Sequence, residues 1–223
     1  MNQAIGGVLA FGVVAGLSPI PIIAVILMLT SARAKVNGPA FIVGWIVGLA
    51  AIGVIVLAIV GPSAADNAGQ TDSGVGWLKV VLGVLLLNVA RRQWQGRPRE
   101  GEQPEMPKWM GTIDAFTPVK AAGTGVVFSA LNPKNLILSV GAAAAVSETG
   151  IPGAEQAIAY AVYVLIATIG VGACVVIYFA LGDRAPAVLE PLKGWMGRHN
   201  AVIMSILCLV IGAKLIGDGI SGV

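Results

Sequence analysis

Long apolar runs with almost no charge alternate with short polar connections along the whole chain. A membrane-spanning helix needs about 20 mostly apolar residues. Six segments meet or approach that length, namely residues 4–30, 38–61, 75–90, 121–147, 156–182 and 201–220. The pattern therefore predicts an all-α polytopic membrane protein with six transmembrane helices. It leaves no room for a separate soluble domain, so residues 1–223 are predicted to form a single transmembrane domain.

The few charged residues inside these segments differ in depth. Lys79 lies one turn inside the third segment, and its ammonium group is expected to reach the near interface. Lys214 and Asp218 lie one turn apart near the end of the sixth segment and are expected to pair. Lys134, in the fourth segment, is expected to lie near the middle of the membrane.

The composition agrees with this interpretation. Hydrophobic residues make up 57% of the chain and charged residues 11%, whereas soluble domains carry about 25% charged residues. These values nearly exclude a soluble globular enzyme, and the high hydrophobicity excludes a disordered chain. The net charge of +3 is small and gives no indication of a nucleic-acid partner. Cys174 and Cys208 lie inside apolar runs and are predicted to be free, buried thiols.

The basic residues of the connections indicate an orientation, because loops rich in Lys and Arg stay on the cytoplasmic side. All of these residues lie in the first, third and fifth connections: Arg33, Lys35, Arg91, Arg92, Arg97, Arg99, Lys108, Lys120, Arg184, Lys193 and Arg198. The second and fourth connections carry only acidic charges: Asp66, Asp72, Glu148 and Glu155. We therefore predict that both termini lie outside and that the basic connections are cytoplasmic.

The third connection, residues 91–120, is predicted to be a cytoplasmic linker. It joins a first three-helix repeat, residues 1–90, to a second, residues 121–223. Its last part places four apolar residues at roughly helical spacing: Trp109, Met110, Ile113 and Phe116. That spacing fits either a short helix lying in the membrane interface or a simple lead-in to the fourth span.

The two halves of the chain resemble each other around one short motif. Gly16-Leu17-Ser18-Pro19 in the first span aligns with Ala130-Leu131-Asn132-Pro133 in the fourth. Since each half has three spans, the second copy is expected to be inverted in the membrane. Proline interruptions at matching places of an inverted repeat indicate the midplane site of a transporter. We therefore predict broken helices at Pro19, Pro21 and Pro133, although simple kinks would also explain single prolines.

Lys134 is the main candidate for a binding residue. An ionisable side chain at the membrane centre costs about 2.5–3.5 kcal/mol on insertion scales, and such residues usually have a function. No acidic residue lies at comparable depth. Its partner is then a carbonyl at a helix break, water in a cavity, or an anionic part of a substrate. We predict that Lys134, Asn132, Asn135 and Ser18 bind substrate, and the alternative is a structural lysine that caps the broken helix.

The sequence gives little support for an enzyme. It contains no His, Cys and carboxylate cluster with metal-ligand spacing and no glycine-rich loop followed by Lys-Ser or Lys-Thr. Paired carboxylates for acid–base chemistry are also missing from the spans. We predict no catalytic residues, no metal and no cofactor.

Four motifs are shared with a known family: Asn132-Pro133-Lys134-Asn135-Leu136, Pro107-Lys108-Trp109-Met110, Leu17-Ser18-Pro19-Ile20-Pro21 and Phe41-Ile42-Val43-Gly44-Trp45. They resemble the GAP or Sap family, whose members are named for addressing glycopeptidolipids and sulfolipids to the surface of bacteria with waxy envelopes. The resemblance covers nearly the whole chain. It implies membership of the wider lysine-exporter (LysE) superfamily, with six spans in an inverted repeat. It also implies a transporter in the inner (plasma) membrane that exports a lipid or glycolipid.

Two differences from other members of the superfamily limit the functions that the resemblance implies. The midplane carries no acidic residue, which disfavours cation export, and no cysteine stands beside the prolines, which disfavours a thiol relay. Two alternatives remain: a small-solute exporter, such as one for amino acids, and a non-transporting assembly subunit of a lipid-export complex. The expected partners are membrane lipids and the substrate, with a homo-oligomer or a larger export machinery also possible. Gly44-x-x-x-Gly48 allows close helix packing within or between protomers.

Overall fold

The computed structural model describes residues 1–66, 73–97 and 108–221, and these residues form helices and no strand. The α-helices are α1 (Asn2–Gly16), α2 (Pro19–Leu29), α3 (Ala34–Asp66), α4 (Ser73–Gln95), α5 (Pro118–Val126), α6 (Pro133–Ser147), α7 (Gly153–Leu181) and α8 (Ala185–Ile220). Short 3₁₀ segments cover Lys108–Ala115 and Gly182–Arg184, and a π-helical segment covers Val127–Leu131. The predicted all-α class is confirmed.

Three described segments are long and apolar enough to cross a membrane: Ala34–Ile59, Gly74–Gln95 and Gly153–Ile220. The third has 68 residues and contains both α7 and α8. Two further candidates are bent pairs. The α1–α2 pair bends by 53°, and the pair formed by Pro118–Leu131 and α6 bends by 62°. The described part of the chain thus contains three candidate spans, or five if each bent pair is one span. This composition is that of a membrane protein.

The second half of the first bent pair forms the centre of the molecule. Nine of the 11 residues of α2 are buried, and α2 packs against α3, α7 and α8. A helix that is apolar on every side is stable only when other helices surround it or lipid covers it. By contrast, large apolar side chains of α3 and α7, among them Val54 and Leu165, are more than half exposed. The outer helices therefore present apolar surface where lipid would lie.

Glycines allow α3 and α5 to approach closely. A Cβ atom on Gly44 would lie 1.9 Å from the carbonyl oxygen of Ala122, and one on Gly125 would lie 2.2 Å from that of Phe41. Gly48 meets Ser129 in the same way, with its Cβ position 2.0 Å from Oγ. The Gly44-x-x-x-Gly48 motif is therefore used for packing within the protomer.

Contacts between helix ends define two ends of the helix bundle. Near the start of α4, Lys79 forms an ion pair with Glu148, which follows α6. A Cβ on Gly7 of α1 would lie 3.5 Å from Ala145 of α6, and Gly219 of α8 lies against the first turns of α4. We call this the Glu148 end.

The opposite end is marked by a hydrogen bond between two other helix starts. The Asn37 side chain near the start of α3 donates to the carbonyl of Phe116, just before α5, with an N–O distance of 3.0 Å. Ile113, in the preceding 3₁₀ segment, is 1% exposed. That segment therefore packs onto the bundle, which favours the lead-in over a separate interfacial helix. We call this the Asn37 end.

The structure differs from the sequence-based expectation at two helix ends. Helix α4 continues to Gln95 and α8 begins at Ala185, so helix extends into the predicted third and fifth connections. Arginines near the end of α4 favour this extension, because cations stabilise helix C-termini. The Lys79 side chain is buried, and its ammonium group pairs with Glu148 at the end of α6. Residues 98–107 of the predicted linker and Asp72 lie outside the described residues.

Candidate functional site

The first helix break lies between α1 and α2. Ser18 has an extended backbone, with φ −77° and ψ 109°, and Pro19 is the first residue of α2. Since Pro19 has no N–H, the carbonyl of Ala15 loses its helical donor. The Ser18 hydroxyl replaces it and donates to that oxygen at 2.6 Å. Pro21 lies within the first turn of α2, where the missing N–H leaves no helical hydrogen bond unmade.

The second break lies between the π-helical segment and α6. Asn132 has nearly the same backbone as Ser18, with φ −69° and ψ 118°, and Pro133 begins α6. The Asn132 side chain caps α6 by accepting from the N–H of Lys134 at 3.1 Å. One turn later, the Asn135 amide donates to the carbonyl of Phe128 at 2.8 Å. Asn135 thereby satisfies a carbonyl at the end of the first half of this bent pair.

Lys134 connects the two breaks. Its Nζ donates to the carbonyl of Val14 at 3.0 Å and to the hydroxyl of Ser18. The amide oxygen of Asn135 lies 3.4 Å from the same hydroxyl. Lys134 is only 5% exposed, and none of the ion pairs among the described residues includes it. Its charge is thus held by neutral oxygens at the carbonyl end of α1.

A cavity of about 180 Å³ lies beside this cluster. Its walls come from both breaks and from α4 and α8: Ser18, Ile20, Pro21, Asn132, Pro133, Lys134, Val89, Gln93 and Met204. The first turns of α2 and α6 both line the cavity, and helix N-termini carry a partial positive charge. No acidic residue lines it. The cavity is therefore electropositive and suited to a polar or anionic group.

The predicted site residues fall into two groups. Lys134, Ser18 and Asn132 line the cavity. Asn135 does not line it; this side chain is fully buried and braces the two breaks. Among the prolines, Pro21 and Pro133 line the cavity and Pro19 does not.

Sequence reasoning missed the contributions of α4 and α8 to this site. Gln93 lies beyond the predicted end of the third span, within the predicted linker, but it belongs to α4 and lines the cavity. The available signal was a polar residue one helical turn from apolar Val89, which would have indicated that the helix continues. The π-helical segment was also missed, although such segments are frequent at functional sites.

A metal or thiol site finds no support in the described residues. No group of three or more His, Cys, Asp or Glu side chains comes together there in a way that could hold a metal ion. Cys174 and Cys208 are free and buried, as predicted.

Comparisons with known proteins place the chain in a family. No curated protein matches it. No solved structure matches it either. A family model described as Sap, sulfolipid-1-addressing protein, matches residues 8–221, which include both helix breaks and the cavity. The chain therefore belongs to the Sap, sulfolipid-1-addressing protein, family.

Proposed function

We propose that this protein is an inner-membrane transporter, without enzymatic activity, that takes part in exporting a lipid or glycolipid with an anionic polar group to the cell envelope. The family description names the addressing of a sulfolipid, and a sulfated lipid carries a negative charge. The observation that supports the proposal most strongly is the contact of Lys134 with the carbonyl end of α1 inside a cavity between two broken helices.

The electrostatics of the cavity favour an anion. Lys134 lies in the first turn of α6, where a cation is destabilised by the positive end of the helix dipole. The carbonyl of Val14 and the hydroxyl of Ser18 offset part of this cost, but they carry no full negative charge. An anionic group in the cavity would supply that charge. In other transporters, half-helix N-termini point at anionic substrate groups in the same manner.

Each half-helix contributes differently to binding. Pro19 and Pro21 provide no N–H, so α2 supplies mainly its dipole. Asn132 uses its side-chain oxygen to cap α6, which leaves its amide nitrogen for a ligand. Lys134 uses two of its three N–H groups on protein oxygens. The remaining donors can bind oxygens of a sulfate or sugar.

The size of the cavity limits what enters it. About 180 Å³ is less than the roughly 300–1,000 Å³ of sites that enclose drug-sized ligands. A sulfate or part of a sugar fits, and a whole glycolipid does not. In this proposal the polar group occupies the cavity while the acyl chains stay in the membrane.

The transport mechanism requires the predicted six spans in two inverted repeats. This count treats each bent pair as one span and α7 and α8 as two. Gly182, with a φ of 52°, begins the 3₁₀ turn that separates α7 from α8. Ser18 and Asn132 occupy equivalent cap positions with nearly equal backbone angles, as expected for repeats. Residues 1–90 and 121–223 would then move relative to each other around the cavity, as in the lysine-exporter plan.

The proposal is tested with purified protein in phosphatidylcholine vesicles. These vesicles contain traces of a fluorescent sulfated glycolipid or of a neutral glycolipid with identical chains. Bleaching by an impermeant reagent measures movement between leaflets. We expect wild-type protein to accelerate the sulfated lipid more than the neutral one, and Lys134→Met to remove that acceleration. Equal rates for the two lipids, or full acceleration in Lys134→Met, would overturn the proposed site.

A second candidate function is export of a small solute, which the small volume of the cavity favours. Sulfated or amino-acid-like solutes loaded into the same vesicles would leave faster in the presence of the protein, while neither glycolipid would move. The assembly-subunit alternative predicts that purified protein moves none of these molecules. It also predicts that deleting the protein still removes a lipid from the envelope.

A further inference from the structure

A second, larger space lies on another face of α4. This groove of about 580 Å³ runs between α4 and α8 and is lined by Leu87, Ala90, Arg91, Trp94, Ser205, Ile206 and Leu209. We propose that it binds one anionic phospholipid of the adjoining leaflet, with the headgroup at Arg91 and an acyl chain in the groove. The proposal does not depend on the transport function.

The groove is separate from the cavity beside Lys134 because different faces of α4 line the two spaces. Val89 and Gln93 line the cavity, whereas Ala90 and Trp94 line the groove. Residues four apart lie on the same face of a helix. The groove pair is shifted by one residue from the cavity pair, so the two pairs point in different directions. Arg91 lies one turn from Leu87 on the groove side.

The packing of α4 against α8 explains why the groove exists. A Cβ on Gly83 would lie 2.7 Å from the carbonyl oxygen of Gly212, so the helices touch there. From Gly83 to the end of α4, and between Gly197 and Gly212 on α8, the sequence has no further glycine. The groove lies in this glycine-free stretch and reaches toward the Asn37 end.

Along the groove, apolar side chains are followed by a basic one. This is the order of the acyl chain and the headgroup in an anionic lipid. Leu87 and Leu209 form its apolar part. Arg91 lies about 6 Å further along α4, at 1.5 Å per residue. The ring of Trp94 lies under the guanidinium of Arg97, whose carbon is 4.0 Å from the ring centroid. Arg97 also donates to the Trp94 carbonyl at 2.8 Å.

Charge complementarity therefore selects the occupant. No acidic residue lines the groove, and Arg92 adds a third positive charge on the same helix end. A phosphodiester headgroup matches the donors of an arginine, and tryptophan is typical of the headgroup level. An apolar helix from a partner or from a second copy would leave the charge of Arg91 unmatched.

The test uses full-length protein in phosphatidylcholine micelles with a small fraction of brominated phosphatidylglycerol or brominated phosphatidylcholine. Bromine in the acyl chains quenches nearby tryptophan, and the difference between wild type and Trp94→Phe isolates Trp94. We expect half-maximal quenching at a roughly fivefold lower fraction of phosphatidylglycerol, the size of one arginine's attraction to an anionic surface. Arg91→Gln should abolish this preference and Arg91→Lys should retain part of it.

Arg33→Gln is the matched control, since it removes the same charge from an exposed residue away from the groove. It should leave the preference unchanged. Glycerol phosphate, which has no chains, should not compete. Equal quenching by the two lipids, an unchanged preference in Arg91→Gln, or full competition by glycerol phosphate would overturn the proposal. If neither lipid quenches Trp94 and the protein can be cross-linked into dimers, the groove would instead be assigned to a second copy.

Discussion

Two buried lysines, Lys134 and Lys79, have nearly the same exposure, 5% and 6%, but opposite surroundings. Lys79 of α4 pairs with the carboxylate of Glu148 across the interface with α6. Lys134 contacts a backbone carbonyl and a hydroxyl and lines a cavity. Burying a charge is costly, and an ion pair offsets much more of that cost than neutral dipoles do.

Under the proposed function, this difference distinguishes a structural lysine, Lys79, from a substrate-binding one, Lys134. The charge of Lys79 is compensated inside the protein, and its ion pair holds α4 to α6 at the Glu148 end. The charge of Lys134 lacks an acidic partner among the described residues. A side chain retained at such cost in the membrane is expected to serve a ligand. Four predictions would break or sharpen this comparison.

The first concerns the side of the membrane on which each end of the helix bundle lies. In a background with Cys174 and Cys208 replaced by alanine, Ala154→Cys at the Glu148 end should react fully with an impermeant thiol reagent added to intact cells. Arg97→Cys at the other end should not react, because the basic connections are predicted to be cytoplasmic. Labelling of both in permeabilised cells is the control. The reverse pattern would invert the orientation.

The second concerns transport. Lys134→Met should lower transport per folded molecule about a hundredfold, because truncating one partner of a buried charged contact costs about 2–5 kcal/mol. Its thermal stability should stay within about 1 kcal/mol of wild type, since the lost cap on Val14 is offset by the lost burial of charge. Lys134→Arg should be partly active, because a planar guanidinium replaces a compact ammonium. Transport and unfolding are measured on the same samples, and full transport by Lys134→Met would remove the distinction between the two lysines.

The third concerns stability. Lys79→Met should destabilise the protein by about 1–2 kcal/mol, less than the roughly 3–5 kcal/mol of a fully buried pair, because Glu148 can be hydrated. The Glu148 side chain is 36% exposed. Transport per folded molecule should not change. The double variant Lys79→Met/Glu148→Gln should regain most of the stability in a double-mutant cycle. If Lys79→Met also stops transport in folded protein, the structural role is wrong.

The fourth concerns the cap that positions Lys134. Asn132→Ala should cost about 1 kcal/mol of stability, the usual value for a lost helix N-cap, and Asn132→Ser should restore most of it. The measurement is the unfolding midpoint in detergent. Loss of transport in the alanine variant with rescue by serine would assign Asn132 a positioning role. Loss in both variants would instead indicate that its amide group contacts the substrate.

The sequence predicted the breaks more accurately than it predicted the ends of the helices. Proline removes a backbone donor wherever it stands, so Pro19 and Pro133 mark the first residues of α2 and α6 in the structure. The signals for helix ends are weaker, as with the arginines near the end of α4. For this reason α4 was expected to stop near Ala90 but continues to Gln95, and α8 begins well before Ala201.

By itself, the sequence determined the all-α membrane class and the places where two helices are interrupted. These properties follow from local chemistry: apolar length and the missing N–H of proline. Only the tertiary structure decided which oxygens hold each lysine. The distance between Lys134 and Val14, or between Lys79 and Glu148, depends on how helices far apart in sequence pack. The sequence shows where the glycines of this packing are. It does not show which residues of other helices they contact.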